Sequence, residues 1–254
     1  MSNVIANHID LHVQEIGSGS PVVMLHGLLI GSLAAWYLTA APALAASHRV
    51  VTFDLRGHGR SAVPPDGYGV ASMARDLGGL VDALDLPPVD LVGHSWGGLV
   101  ALRFALDHPA RVRRLAIVEA PLPPSRMTEL GAFTQASPET WVAALPETLR
   151  AAVASGGRQA RKLLASLERL ATQTTLLADL RAEPDIPDAD LAHLVPETLL
   201  LYGTRSSCAP VGERLARAIP HARLAMLDGG HYLHLEARAA LTAELVAFLG
   251  ADRG

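Results

Sequence analysis

Residues 89–108 read "VDLVGHSWGGLVALRFALDH", in which a short apolar run, a serine between glycines and a longer apolar stretch follow one another. The first run has the length and the Val/Leu content of a buried strand, and the last stretch is long enough for a helix. At their junction, Gly93 and Gly97 flank Ser95 in a Gly-x-Ser-x-Gly pentapeptide. Glycines at these positions let strand and helix approach closely while the serine side chain projects from a strained turn. The stretch therefore predicts that Ser95 is a nucleophile, which the pentapeptide without its context would support only weakly.

Short apolar runs of the same kind recur along the chain. Besides residues 89–95, they comprise residues 21–27, 49–57, 113–121, 197–204 and 222–230. Most of them are separated by Ala/Leu-rich segments that are long enough for a crossover helix. This alternation is typical of right-handed β-α-β units, which build a mostly parallel sheet flanked by helices. Reactive groups in such α/β sheets gather at the carboxyl ends of the strands. We therefore expect the functional residues there.

One long segment interrupts this alternation, because it contains no convincing strand. Leucines recur in its second half at the helical spacings of four and three residues, at Leu163, Leu167 and Leu170. This spacing predicts a helix with one apolar face. The predicted division is a core of residues 1–121 and 195–254 with a helical insertion of residues 122–194. We predict that the insertion, which follows the strand after the Ser95 helix, is a small cap over the functional site. The alternative is that its apolar face simply packs on the sheet layer.

The composition is that of an ordinary globular protein, since 254 residues, 50% hydrophobic and 18% charged, suffice for one sizeable core. A formal net charge of -4, with Lys162 as the single lysine and no basic cluster, argues against a nucleic-acid partner. The expected partner is a small-molecule substrate. The single cysteine, Cys208, excludes an internal disulfide, and residues 1–16 lack the basic and apolar regions of a signal peptide. We expect a cytoplasmic protein of unknown oligomeric state.

Residues 28–46 form the most hydrophobic early stretch and approach the length of a membrane span. Polar and helix-breaking residues interrupt the stretch, namely Gly31, Ser32, Thr39 and Pro42. It therefore predicts a buried helix of a soluble protein, and no membrane partner is expected.

A serine hydroxyl is a poor nucleophile near neutral pH unless a neighbouring base removes its proton. The stretch "MLDGGHYLHLE" at residues 226–236 supplies His231 after the last apolar run, behind two glycines. His231 is the predicted base because of this position, whereas His234 is expected at the start of the next helix. A metal site made from these two histidines lacks a third ligand at usable spacing. No metal and no organic cofactor is expected.

Two backbone N–H groups are needed to stabilise the negative charge that develops on an attacked carbonyl oxygen. The residue after the nucleophile, Trp96, is the first predicted donor. The second is Leu28, which follows "LHG" at the end of the first apolar run. In that run Gly27 permits close approach of the backbone, and His26 is expected to support the loop.

The chain resembles the α/β-hydrolase superfamily, and within it the group of bacterial esterases, cofactor-free haloperoxidases, C-C hydrolases and epoxide hydrolase-like proteins. The matching segments are "VVMLHGLL", "VVTFDLRGHGRSAVP", "VDLVGHSWGGLVALRFALDHPARVRRLAIVEAP", "ETLLLYG" and "GGHYLHLE". They cover most of the chain except the insertion, and their joint occurrence in this order is specific for the fold but not for the substrate. The resemblance implies an α/β-hydrolase fold and a structural role for the "DLRGHGRS" loop, so that His58 is not expected to be catalytic.

The chain departs from the family pattern at the catalytic acid. Many relatives carry an aspartate three residues beyond the glycine of "LLLYG", but "GTRSSCAP" at residues 203–210 has Ser206 there and no carboxylate. Some haloalkane dehalogenases and related enzymes place the acid at the end of the strand after the nucleophile helix. Glu119 stands at that position in "LAIVEAP" and is the predicted acid. The alternatives are that Glu119 is a structural hydrogen-bond acceptor, or that Ser95 and His231 act without an acid.

The residues and the resemblance together predict a serine hydrolase that cleaves a carboxylic ester or lactone through an acyl-enzyme intermediate. Alternatives with the same triad are C-C bond hydrolysis and perhydrolysis of the haloperoxidase type. A ligand-binding protein with weak turnover is a further alternative, because of the carboxylate-free loop. The predicted binding residues, for which packing in the core is the alternative, are His26, Trp36, Phe133 and Trp141. Cys208 beside that loop is expected to be an ordinary loop residue.

Overall fold

A single eight-stranded sheet forms the centre of the molecule in the computed structural model, which describes residues 2–122, 147–154 and 156–250. The strands are β1 (Ser2–Ala6), β2 (Ile9–Ile16), β3 (Ser20–Leu25), β4 (His48–Phe53), β5 (Val89–His94), β6 (Val112–Val118), β7 (Glu197–Gly203) and β8 (Ala222–Leu227). Their order in the sheet is β1-β2-β4-β3-β5-β6-β7-β8. The β1–β2 and β2–β4 pairs are antiparallel, and all other pairs are parallel. The predicted α/β class with a mostly parallel sheet is confirmed.

Helices flank the sheet on both faces. They are α1 (Ala34–Tyr37), α2 (Ala41–Leu44), α3 (Val70–Ala83), α4 (Trp96–Asp107), α5 (Glu147–Ala154), α6 (Arg158–Gln173), α7 (Leu176–Ala182), α8 (Asp188–Leu191), α9 (Ala209–Ala218), α10 (Leu233–Glu236) and α11 (Arg238–Gly250). Strand β3 shows how the two layers arise, because its successive side chains point to opposite faces. Val23 belongs to the cluster with helices α3, α4 and α9, whereas Val22 belongs to the cluster with α1, α2 and α11. Burial on both faces explains why these strands are continuous apolar runs in the sequence.

Strands β1 and β2 were not predicted, although they form a hairpin at the edge of the sheet. The turn consists of two residues, Asn7 and His8, and both have positive φ, at 48° and 62°. Such a two-residue turn matches the twist of the flanking strands. The alternation of apolar and polar residues through Ile9–Ile16 is the signal that could have shown β2.

The stretch from residue 28 to residue 46 forms two single-turn helices, α1 and α2, so the prediction of one buried helix was wrong. Pro42 lies in the first turn of α2, where a missing backbone N–H costs nothing, whereas it cannot continue a helix begun upstream. In the portions of the chain that the structure describes, no helix combines the length and the hydropathy required to cross a bilayer.

Helices α5 to α8 occupy the described part of the insertion, in which no strand is assigned. Leu167 and Leu170 of α6 are fully buried, which matches the predicted apolar face. A β-carbon on Gly57 would lie 2.7 Å from Leu170, so α6 packs directly on the loop after β4. The boundaries of core and cap stay a prediction.

Candidate active site

Ser95 lies in a sharp turn between β5 and α4 and has φ 53° and ψ -122°, a conformation that a non-glycine residue adopts only under strain. Its backbone N–H donates to the Val118 carbonyl at 2.8 Å, which fixes the turn to the neighbouring strand β6. A β-carbon on Gly93 would lie 2.3 Å from the Gly97 carbonyl oxygen. The glycines are therefore required for the close approach of strand and helix, as their spacing predicted.

His231 lies in the loop between β8 and α10 and contacts both of its predicted partners. Its Nε2 is 3.0 Å from the Ser95 Oγ, and its Nδ1 is 3.1 Å from Oε2 of Glu119. The structure thus brings the three predicted catalytic residues together in one chain of hydrogen bonds. This arrangement allows Nε2 to accept a proton from the serine while the carboxylate accepts the Nδ1–H.

Glu119 directly follows β6 and is fully buried. Its φ is 57°, and its backbone N–H donates to the Leu201 carbonyl of β7 at 3.0 Å. One carboxylate oxygen, Oε1, accepts the Gly203 backbone N–H. The other, Oε2, accepts the Ser206 hydroxyl in addition to the imidazole contact. A buried carboxylate is costly unless its oxygens are hydrogen-bonded, and these three donors meet that requirement.

Ser206 and Cys208, on the carboxylate-free loop after β7, both reach this site. The Ser206 Oγ accepts the Cys208 backbone N–H at 3.0 Å while it donates to Glu119. The Cys208 Sγ lies 3.9 Å from the His231 Nδ1, and the side chain is buried. Neither contact was predicted, although the family spacing already put Ser206 where relatives carry the acid. Within the described residues, Glu119, Cys208 and His231 form a group of potential metal ligands, to which His234 does not belong.

Two buried histidines, His26 and His58, hold the loop that carries Leu28. The His26 Nδ1–H donates to the Gly27 carbonyl at 2.7 Å, and its Nε2 accepts the Leu55 N–H at 3.0 Å. His58 similarly donates from Nδ1 to Arg56 and accepts the Leu29 N–H at 2.8 Å. Both rings must be neutral to accept these N–H groups. Burial lowers the pKa of His26 to about 4 and that of His58 to about 3.

The same loop passes directly beside the nucleophile. A β-carbon on Gly27 would lie 3.1 Å from the β-carbon of Ser95, so Leu28 follows at the immediate edge of the site. Trp96 is the first residue of α4, and the backbone N–H of a first helical residue has no partner within its own helix. Both predicted N–H donors are thus on segments adjacent to Ser95, and their role stays a prediction.

His94 and His234 lie behind His231, the predicted base. The His94 Nε2–H donates to the His231 carbonyl at 2.8 Å and thereby supports the backbone of the base. Burial lowers the pKa of His94 well below its ordinary value and that of His234 to about 4. The two rings contact each other at a centroid distance of 4.8 Å. The supporting role of His94 was missed, because the sequence offers no sign of a contact between segments 137 residues apart.

The structure describes two of the four predicted binding residues, His26 and Trp36, and both are fully buried. Trp36 is fully buried in the core, and its indole N–H donates to the Leu25 carbonyl at 2.8 Å. This matches the alternative of core packing. His26 is also buried, and it supports the loop instead of facing a cavity. Phe133 and Trp141 lie outside the described residues.

Two cavities adjoin the loop of residues 28–32. One, of about 380 Å³, is lined mainly by apolar groups that include Leu28, Leu38 and Leu235. The other, of about 480 Å³, lies between the loop and α6 and is lined by Leu163, Lys162 and Arg169 among others. The mainly apolar lining of the first cavity is typical of small-molecule sites, whereas polar and charged side chains line much of the second.

Comparison with known proteins identifies the family of this chain. Residues 20–238 match the model of a protein family whose description is "alpha/beta hydrolase fold". A provisionally assigned carbamate hydrolase, RutD, of Variovorax paradoxus is 32% identical over 249 residues, which cover 92% of each chain. The 2-hydroxy-6-oxo-2,4-heptadienoate hydrolase of Pseudomonas putida is 42% identical over 120 residues, which cover 46% of this chain and 43% of that one.

Among solved structures, the N-acyl homoserine lactone degrading enzyme Est816 superposes with a TM-score of 0.79 at 25% identity. The superposition covers 97% of this chain and 100% of the other. The match to the family profile extends from β3 to α11 and includes every residue of the Ser95–His231–Glu119 chain of contacts. The chain belongs to the α/β-hydrolase fold family.

Proposed function

We propose that the protein is a serine hydrolase that cleaves a carboxylic ester or lactone through an acyl-enzyme intermediate. The observation that carries this proposal is the continuous set of contacts from Ser95 Oγ to His231 at 3.0 Å and from His231 to Glu119 at 3.1 Å. The positive φ of Ser95 adds to it, because strained backbone is concentrated at functional sites.

In the first half of the reaction, the Nε2 of His231 takes the proton of Ser95 as Oγ attacks the carbonyl carbon. The backbone N–H groups of Leu28 and Trp96 stabilise the negative charge on the carbonyl oxygen. The Glu119 carboxylate stabilises the imidazolium through Nδ1 and stays ionised throughout. Nε2 then returns the proton to the leaving alcohol oxygen, which departs and leaves the acyl-enzyme.

In the second half, His231 removes a proton from a water molecule that attacks the acyl carbon. The tetrahedral intermediate collapses, the proton passes from Nε2 to the Ser95 oxygen, and the carboxylic acid is released. Apart from the substrate only water is consumed: its oxygen enters the carboxylic acid, and its proton restores the Ser95 hydroxyl in place of the proton that left with the alcohol.

Support for a role of the acid comes from the environment of Glu119. Its two oxygens meet three donors from β7, the loop after β7 and the imidazole, so the carboxylate is fixed in one orientation. A residue that merely capped the end of β6 would not need to reach the imidazole. We therefore favour a Ser-His-Glu triad over a Ser-His pair that acts alone.

For the substrate we propose an ester or lactone with an apolar acyl or ring portion. The leucines along the cavity of about 380 Å³ supply apolar walls, and the neighbour of similar fold degrades an N-acyl homoserine lactone. The contact of α6 with the cavity of about 480 Å³ supports the further proposal that the insertion is a cap. C-C bond hydrolysis is the second candidate, because the Pseudomonas putida relative is 42% identical over 120 residues.

The first experiment is to treat the protein with a fluorophosphonate probe, map the adduct by peptide mass spectrometry and assay turnover of an aryl ester. We expect the adduct on Ser95 in the wild type and in Ser18→Ala, which removes an exposed serine, but not in Ser95→Ala. Ser95→Ala should also abolish turnover. A folded wild type with neither adduct nor turnover would instead indicate a ligand-binding protein.

A further inference from the structure

The side chains of Cys208, His231 and Glu119 meet on the side of the imidazole that faces away from Ser95. We propose that they form a binding site for a thiophilic divalent cation, Zn²⁺ or Cd²⁺, and that occupancy reversibly stops catalysis. The inhibitory part of this inference rests on the proposed serine hydrolase function, whereas the binding site itself does not.

The three ligand atoms lie close to the separations that a tetrahedral ion requires. The His231 Nδ1 lies 3.1 Å from Oε2 of Glu119 and 3.9 Å from the Cys208 Sγ, and all three atoms lie within 4.8 Å of one another. With Zn²⁺ bonds of about 2.0–2.3 Å, neighbouring ligand atoms in a tetrahedron are about 3.3–3.6 Å apart. Small side-chain shifts therefore suffice to surround an ion, with water as the fourth ligand.

The donor types and the charges also suit such an ion. Thiolate, imidazole and carboxylate are the ligands that Zn²⁺ takes in proteins. On binding, the Cys208 thiol releases one proton to solvent, so thiolate and carboxylate together balance the two positive charges. This balance is essential because Glu119 and Cys208 are almost fully buried, and an unpaired charge there would be costly.

Occupancy of the site changes the tautomer of the catalytic base. In the free protein Nδ1 carries the proton that the carboxylate accepts, so Nε2 is free to accept the Ser95 proton. A metal on Nδ1 takes that lone pair, and the proton of the neutral imidazole then sits on Nε2. His231 can then no longer deprotonate Ser95, and the Glu119 carboxylate binds the metal instead of the imidazole. Inhibition follows without any contact between the ion and the substrate.

The test combines ester turnover with a direct measurement of metal binding. We expect inhibition of the wild type by Zn²⁺ or Cd²⁺ to develop with time of incubation, because the ligands are buried. A chelator should restore turnover. Mg²⁺ should not inhibit, since it prefers oxygen ligands. Relative to their own metal-free turnover, Cys208→Ala and Cys208→Ser should need at least about tenfold more metal than the wild type for half-maximal inhibition. Equal sensitivity of these variants and the wild type would overturn the proposal.

The absorption of the Cd²⁺–thiolate bond measures metal binding independently of ester turnover. It reports on Cys208 alone, because Cys208 is the only cysteine in the sequence. We expect one Cd²⁺ per chain with this absorption in the wild type and in Ser95→Ala, and a loss of affinity in His231→Gln and Glu119→Gln. If His231→Gln and Glu119→Gln bind Cd²⁺ as tightly as the wild type does, the three-residue site is overturned even if the hydrolase proposal stands. Retained absorption in a wild type without ester turnover would support the site while the proposed function fails.

Discussion

The carboxylate of Glu119 is held by partners that the chain supplies from three different segments. Gly203 donates to one oxygen, and Ser206 and His231 donate to the other. The loop that lacks the family aspartate thus still contributes a hydroxyl that orients Glu119, the predicted acid. We therefore expect Ser206 to be a positioning residue that acts through Glu119.

Glu119→Gln should therefore be far more damaging than Ser206→Ala. An amide cannot stabilise the imidazolium, and loss of the triad acid typically lowers kcat by about 10⁴-fold. Ser206→Ala leaves the carboxylate with two of its three donors, so we expect a loss of less than about tenfold. Steady-state turnover of an aryl ester measures both. Equal, mild losses would show that Glu119 is not the acid.

The proximity of Ser206 to Glu119 also predicts that a carboxylate at position 206 can replace the one at position 119. Ser206 contacts the same carboxylate oxygen that binds the imidazole, so an aspartate at position 206 would place its carboxylate near Nδ1. We expect the double variant Glu119→Ala/Ser206→Asp to turn over the ester at least about tenfold faster than Glu119→Ala alone. The single variant Ser206→Asp is the control, and its adjacent carboxylates should repel each other. No recovery in the double variant would contradict this geometry.

Ser95 and His231 could be predicted from their positions at the ends of apolar runs, whereas Glu119 was predicted because the family resemblance implies an acid after β6 when the loop after β7 lacks one. Their supporting residues could not. The contacts of Ser206 with Glu119 and of His94 with His231 join residues 87 and 137 positions apart. Nothing in the local pattern of either partner distinguishes such a contact from an ordinary loop residue.

At the scale of elements, the loop after β3 is the part of the site that depends most on its neighbours. It has no ladder hydrogen bonds of its own, and His26 and His58 supply partners for its backbone. The parallel strands were predictable because burial on both faces makes them apolar throughout. The hairpin β1–β2 was missed because its turn, Asn7-His8, lacks the glycine that usually marks such turns.

His58→Phe should loosen this loop. It leaves the Leu29 N–H and the Arg56 carbonyl without their partner, at a cost of about 2–4 kcal/mol in the free energy of unfolding. Displacement of Leu28 should also lower turnover, by up to about 10²-fold. Urea denaturation and an ester assay measure the two effects. The exposed His193→Ala is the matched control and should change neither; unchanged stability of His58→Phe would contradict the support that we assign to His58.

For the whole molecule, buried histidines set the response to acid. Burial lowers the pKa of His26 and His234 to about 4 and that of His58 to about 3, from an ordinary value of 6.5, and His94 shifts in the same direction. Between pH 6.5 and 4 the unfolded chain therefore binds more protons than the folded one. Stability is fully present above pH 6.5 and is lost as the pH falls.

We expect the free energy of unfolding to be nearly constant from pH 8 to 7 and to decline between about pH 6.5 and 5, before most carboxylates titrate. Each of the four histidines contributes up to about 1.4 kcal/mol per pH unit in this window. Urea denaturation at a series of pH values measures the decline. A free energy of unfolding that is the same at pH 7 and pH 5 would show that these rings are not neutral in the folded protein.

Because Glu119, the predicted acid, follows β6, the proposed catalytic groups are distributed unevenly along the chain. Ser95, Glu119 and the N–H groups of Leu28 and Trp96 all precede residue 122, and only the base, His231, follows it. A chain cut after residue 122 would yield one fragment with nucleophile, acid and oxyanion donors and a second with the base alone. Ester turnover would then report the association of the two fragments, so the protein has the layout of a split reporter.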